Sequence, residues 1–91
     1  MVILVSKKAA KQLNKVPAHI KLKFEAWCDI LGYIGLLESR KYKGFHDEPL
    51  SGKRKGQRSV RLSKSYRAIY KVLDSKSYEL IEIIEVNKHD Y

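Results

Sequence analysis

Ninety-one residues with 44% hydrophobic content and nine aromatic side chains suffice for one domain, spanning residues 1–91, around one core. The single cysteine, Cys28, excludes an internal disulfide and fits a reducing, cytoplasmic setting; no apolar run approaches the ~20 residues that cross a bilayer, so no membrane partner is expected. The net charge of +9 lies in residues 40–71, where eleven Lys or Arg stand against Asp47 and Glu48 while the rest of the chain balances, and such a footprint points to a polyanion, nucleic acid first.

Val2–Val5 reads as a short buried strand, because β-favouring apolar residues run together. Ser6 offers a helix N-cap, and Ala9, Ala10, Leu13 and Val16 recur at helical spacing until Pro17 ends that helix and begins the next. Ile20, Phe24, Trp27, Leu31 and Ile34 step by four and three, which marks the apolar face of a second helix, and Gly35 is its stop. Cys28 falls inside this pattern and reads as a packed thiol. Residues 38–57 carry turn formers and basic side chains, and read as an ordered loop that Leu36, Leu37, Phe45 and Leu50 anchor to the core.

Three strands follow. Arg58–Leu62 and Tyr66–Leu73 alternate, with Tyr66, Ala68, Tyr70 and Val72 on one face and Arg67, Ile69, Lys71 and Leu73 on the other. Ser63-Lys64-Ser65 and Asp74-Ser75-Lys76-Ser77 have hairpin length, and Tyr78–Val86 is rich enough in Ile and Leu to lie inside the sheet. The pattern predicts an α+β domain, with two N-terminal helices on a small twisted antiparallel sheet of about four strands.

The chemistry-bearing residues fall in two regions. Arg58, Arg61 and Arg67 lie on the basic strand pair, and the chain closes on His89, Asp90 and Tyr91. Pairing of the last strand with the middle one would bring these groups to one sheet edge. Attack of a ribose 2′-OH on the adjacent phosphate needs a base, cations on the phosphate and an acid for the leaving oxygen, but no metal or cofactor. His89 has the chemistry of acid or base, Asp90 of its orienting partner, Arg61 and Arg67 of phosphate clamps, and Tyr91 of a stacking or orienting group. Lys53, Arg54, Lys55, Arg58, Lys64 and His46 are candidate RNA contacts. The spacing of His46, Asp47, Glu48 and His89 matches no recurrent metal site, and Gly52-Lys53-Arg54-Lys55-Gly56 lacks the strand-to-helix setting of a phosphate loop. Nucleic-acid binding without catalysis uses the same basic face and stays open.

The runs Asp47-Glu48-Pro49-Leu50-Ser51-Gly52, Lys55-Gly56-Gln57-Arg58-Ser59-Val60-Arg61-Leu62 and Tyr66-Arg67-Ala68-Ile69-Tyr70-Lys71 resemble the RelE/ParE superfamily of bacterial toxins, and most closely its HigB and YafQ-type mRNA interferases. The resemblance covers residues 43–91. It implies a metal-independent endoribonuclease that cuts mRNA on the 70S ribosome, a cognate antitoxin, and operator-DNA binding only through the toxin–antitoxin complex. Arg67 matches the arginine on the scissile phosphate, Arg61 the position of a YafQ-type histidine, His89 the histidine near the end of the last strand, and Tyr91 the C-terminal tyrosine. Where those relatives read His-Pro-Leu-x-Gly this chain has Glu48-Pro49-Leu50-Ser51-Gly52, so Glu48 supplies the acid/base function, His46 swings in, or activity is weaker. ParE-like relatives, which inhibit DNA gyrase, are the alternative of the same fold.

Overall fold

The computed structural model describes residues 1–88. Helices form where apolar spacing and a cap coincide. Helix α1 (Lys7–Leu13) starts at Ser6, whose Oγ accepts the Ala9 N–H at 3.0 Å and donates to the Ile84 carbonyl at 2.9 Å. A cap of this kind stabilises a helix by about 1 kcal/mol, and here it also ties α1 to the last strand. The helix stops at Leu13, three residues before Val16, because Asn14 caps its end. Pro17 then serves as the N-cap of α2 (Ala18–Ile34). Gly35 ends α2 at φ 81°, a left-handed value that suits glycine, and its N–H closes on the Leu31 carbonyl at 3.0 Å. A third helix, α3 (Leu36–Ser39), follows at once, where the sequence suggested only loop.

Strands β1 (Val2–Val5), β2 (Glu48–Pro49), β3 (Gln57–Arg61), β4 (Tyr66–Val72) and β5 (Leu80–Lys88) form one sheet in the order β1-β5-β4-β3-β2. The sheet is therefore five-stranded and mixed rather than four-stranded and antiparallel. Two features that local periodicity does not carry account for the difference: β1 pairs parallel with β5, and the two-residue β2 pairs with β3 inside the basic loop. The hairpins β3–β4 and β4–β5 are antiparallel as expected, and β5 has strands on both sides. Ser63 Oγ accepts from the Ser65 and Tyr66 N–H groups at 3.1 Å each, and Asp74 caps the second turn through Lys76, Ser77 and the Ser77 hydroxyl.

One face of the sheet carries Val60, Ala68, Tyr70, Ile81, Ile83 and Val86 against Ile20, Phe24, Trp27 and Leu31 of α2. Trp27 and Tyr70 are fully buried, with ring centroids 5.5 Å apart, and removing an aromatic of this kind costs roughly 3–5 kcal/mol. Leu36 and Phe45 anchor the long loop from below, whereas Leu37 is exposed. The expectation of a buried N-terminal strand is corrected: Val2, Leu4 and Val5 are 53%, 45% and 43% exposed, and Ile3 packs on the core. An unbroken apolar run does not distinguish a central strand from an edge strand, and β1 has a neighbour on one side only. Cys28 is half-buried, and burial, with Asp29 and Glu25 nearby, pushes its thiol up to about 12, so it stays protonated and inert.

Candidate functional site

Strand alternation puts Glu48, Ser59, Arg61, Arg67, Ile69 and Glu85 on the sheet face turned away from α2. Register arranges them in two adjacent rows: Glu48, Ser59, Ile69 and Glu85 face one another across four strands, and Arg61, Arg67 and Asn87 across three. Ser59, Arg67, Ile69 and Glu85 are buried, so this face is a recessed floor. Arg67 Nη1 donates to Ser59 Oγ at 2.6 Å and to Glu48 Oε1 at 3.0 Å. Glu48 stays exposed, so the pair presents a fixed guanidinium edge with a solvent-accessible carboxylate beside it. Arg61 stands directly opposite Arg67 on the neighbouring strand, and among the described residues its side chain has no hydrogen bond or ion pair. Two guanidinium groups on adjacent strands, one buried and one half-exposed, suit the non-bridging oxygens of a phosphodiester.

The basic loop is tied across this floor. Arg54 Nη2 donates to Glu85 Oε1 at 2.5 Å and Nη1 to Gln57 Oε1 at 2.8 Å. Lys8 Nζ reaches the same Glu85 oxygen at 3.1 Å, and Asn87 Nδ2 donates to the other at 2.6 Å. The Arg54 hydrogen bond, supported by that from Lys8 and opposed by burial, holds the Glu85 carboxyl below the usual carboxylate range. Lys53, Lys55 and Lys64 are exposed and have no ion partner among the described residues.

A second acidic centre lies on the core side. Asp47, its side chain 1% exposed, accepts from Arg58 Nε and from the Tyr70 hydroxyl at 2.6 Å each, and Arg40 Nε stands 3.8 Å away. Burial, then the hydrogen bond to Asp47, pushes the Tyr70 phenol well above its ordinary value. Burial alone would lower the Arg58 pKa, but the hydrogen bond and charge of Asp47 raise it. Arg40 also lies over the Tyr78 ring at 5.7 Å. Arg58 is thus turned toward Asp47 and holds the loop to the sheet.

Of the predicted site residues, Glu48, Arg61 and Arg67 meet on one face, with Arg54 tied across it; Lys53, Lys55 and Lys64 are exposed on the connecting loops, and Arg58 lies apart, on Asp47. His46 is exposed at the end of a short 3₁₀ turn, in a left-handed conformation at φ 45°. His89, Asp90 and Tyr91 lie outside the described residues; the strand that leads to them is paired as expected, Asn87 with Arg67 and Lys88 with Tyr66. Among the described residues no three His, Cys, Asp or Glu side chains group as metal ligands. Sequence reasoning missed Ser59, Asp47 and Glu85. The period-two pattern of β3 and β4 places Ser59 and Arg67 on one face, but only the register shows Glu85 opposite Ile69 in the row of Ser59.

The same arrangement of elements occurs in solved toxin structures. The chain is similar to the archaeal RelE of a RelE–RelB complex from Pyrococcus horikoshii, with 26% identity and a TM-score of 0.69 over 94% of this chain and 91% of that one. By fold, the chain belongs to the RelE/ParE toxin superfamily. It is also similar to a chain of a heterotetrameric YoeB–YefM toxin–antitoxin complex from Staphylococcus aureus, with 21% identity and a TM-score of 0.70 over 100% and 98% of the two chains. A YoeB/ParE toxin from Agrobacterium tumefaciens gives 21% identity and a TM-score of 0.67 over 99% of this RelE/ParE-fold chain and 100% of that one. No family model matches the sequence, and no curated protein does. Among the described residues no helix is long and apolar enough to cross a membrane.

Proposed function

We propose that the protein is the toxin of a type II toxin–antitoxin pair and acts as an endoribonuclease on mRNA bound to the 70S ribosome. The carrying observation is the pairing of Arg67, held by Ser59 and Glu48, with Arg61 on the next strand, which has no side-chain partner among the described residues. A phosphodiester seated between the two guanidinium groups meets charge that is already oriented, and such preorganised charge stabilises the phosphorane as it forms. Glu48 stands beside Arg67 with its carboxylate open to solvent, in position to take the 2′-OH proton, whereas His46 lies two residues away in a turn. Glu48 therefore fills the acid/base role in this reading. His89 is the donor to the leaving 5′-oxygen, Asp90 its orienting partner and Tyr91 the group that stacks on a base. The mechanism needs the ribose 2′-OH, so the substrate is RNA. Lys53, Lys55 and Lys64 supply contacts to the ribosome and message, and Arg54 joins them once an anion competes with Glu85. A cognate antitoxin is the protein partner, by analogy with the RelE–RelB and YoeB–YefM complexes.

The Glu48–Arg67 ion pair favours a second reading, since it neutralises the arginine in the isolated chain. On that reading the protein is a ParE-like inhibitor of DNA gyrase, and the basic face only binds. Primer extension on a message in a reconstituted translation reaction separates the two. Codon-phased cuts that vanish with Arg61→Ala support the nuclease; an intact message with altered supercoiling activity supports the inhibitor.

A further inference from the structure

Along β5 the core face takes Ile81 and Ile83, so strict alternation would send Glu85 into the core with them. The strand avoids this. Its register against β4 slips between Ile69 and Tyr70, which makes Ile84 an extra residue, so that Val86 takes the core position and Glu85 turns to the floor. Bulges re-aim side chains, and this one aims a carboxylate at cations. Arg54 Nη2 and Lys8 Nζ both donate to Glu85 Oε1, at 2.5 and 3.1 Å, and Asn87 Nδ2 donates to Oε2 at 2.6 Å. Gln57 Oε1 accepts from Arg54 Nη1 at 2.8 Å, so the guanidinium has a second contact that does not involve Glu85. Two cations on one carboxylate leave a positive excess. Both also reach solvent, the Lys8 and Arg54 side chains being 63% and 38% exposed against 10% for Glu85. Glu85 lies opposite Ile69, and Asn87, two residues further on, lies opposite Arg67. Two residues of strand span about 7 Å, so this cluster sits one step along the sheet from the Arg61 and Arg67 pair.

We infer that Arg54 and Lys8 form a second phosphodiester subsite, next to the one at Arg61 and Arg67, and that Glu85 is its internal competitor, seated where the phosphate goes. The inference rests on the RNA reading of the floor. A carboxylate and a phosphodiester both present two oxygens to a guanidinium fork, so the free chain keeps the two cations gathered and aimed by its own anion. An incoming phosphate exchanges with Glu85, whose second oxygen stays on Asn87. The gain on the phosphate is then offset by the lost contacts to Glu85, and Arg54 adds little net affinity while that carboxylate is present. A Glu85 that served only as a loop anchor would act with the opposite sign: its removal would disperse the cations and weaken binding.

The test is a binding titration of the full chain with a fluorescent 2′-O-methyl hexanucleotide, which cannot be cut by attack of its own 2′-oxygen. Glu85→Gln should bind it about tenfold more tightly, the worth of one charge-assisted hydrogen bond. Its affinity should also fall more steeply with salt, by about one or two phosphate contacts. Glu85→Asp, which keeps the charge but draws it back by one methylene, should shift affinity in the same direction and guards against a fold defect in Glu85→Gln. Arg54→Ala and Lys8→Ala should change the parent's affinity by less than about twofold, yet each should lower that of the Glu85→Gln chain about fivefold. Equal or weaker binding by both Glu85 variants overturns the inference. So does an equal gain in affinity for hexaglutamate, since the pair of cations then prefers no phosphate. Binding that Arg61→Ala abolishes and the Glu85 variants leave unchanged removes this subsite alone. A chain that binds no oligonucleotide, with or without Glu85, removes the RNA reading together with it.

Discussion

Arg54 and Glu85 are thirty-one positions apart in sequence, yet their charged ends meet across the recessed face of the sheet. The bond fixes where the basic loop lies and keeps one of its cations occupied by an internal carboxylate. Glu85→Gln should loosen the loop, raise amide exchange at Gly52 through Lys55, and lower stability by about 1 kcal/mol, since Arg54 remains partly solvated. The sign with pH follows from the lowered Glu85 pKa: its contribution is complete above the unfolded value of about 4.3 and is lost as pH falls through the folded one. Urea unfolding at pH 7 and pH 3 should show the wild type and Glu85→Gln converging at the lower pH. Parallel curves at both values would contradict this account.

Asp47 should matter more to stability than any residue of the floor. Asp47→Asn leaves Arg58 and Arg40 facing a neutral group in a buried setting and should cost about 3 kcal/mol. Tyr70→Phe removes one hydrogen bond from the same carboxylate and should cost about 1 kcal/mol. Denaturation midpoints measure both. An Asp47→Asn variant as stable as the parent would remove Asp47 from its place as the loop's anchor.

Chemistry should separate from stability on the other face. Arg61→Ala and Arg67→Ala should each lower message cleavage about 10²–10³-fold. Arg61→Ala should leave stability unchanged, because among the described residues its side chain makes no bond. Glu48→Gln keeps the hydrogen bond to Arg67 but cannot take a proton, so a loss of about 10²-fold or more marks Glu48 as a base. His89→Ala should cost a similar factor. Cleavage must be compared at matched ribosome occupancy; parental rates for Arg61→Ala and Glu48→Gln together would exclude this mechanism.

Ribosome association should depend on the lysines that have no ion partner among the described residues rather than on Arg54 or Arg58. Replacing Lys53, Lys55 and Lys64 with alanine should weaken pelleting with ribosomes and reduce the slope of binding against salt by up to about three ions' worth. Arg58→Ala, by contrast, should be detected first as a loss of stability. Equal pelleting by the triple variant and the parent would take the binding role away from these loops.

Most of the core was legible in the sequence because single residues there answer to local rules. The Ile20, Phe24, Trp27 and Leu31 spacing gives α2, Gly35 its end, and the alternation around Tyr70 gives β4 and its two faces. Ile34, the last member of that stripe, is exposed. The parallel partner of β1 was not legible: Val2 and Leu80 meet only through tertiary pairing, which no window on the sequence spans. The candidate site was half legible. Arg61 and Arg67 follow from hairpin register, but the split of Asp47 to the core side and Glu48 to the floor depends on β2, a strand too short to announce itself.

The bulge in β5 has a consequence for the order in which the molecule is made. Ile84 is the extra residue there, its carbonyl taken by Ser6, and the Val86 N–H is taken by Gln12 Oε1 at 2.7 Å. The first helix and the first strand therefore find their partners more than seventy positions later in the chain. A ribosome that has emitted only the helices and the first hairpin holds a chain whose N-terminal strand has nothing to pair with. Contacts of such long sequence separation form late and slowly. Synthesis itself then delays the assembled sheet, and with it the floor that holds Arg67, until Leu80–Lys88 have emerged.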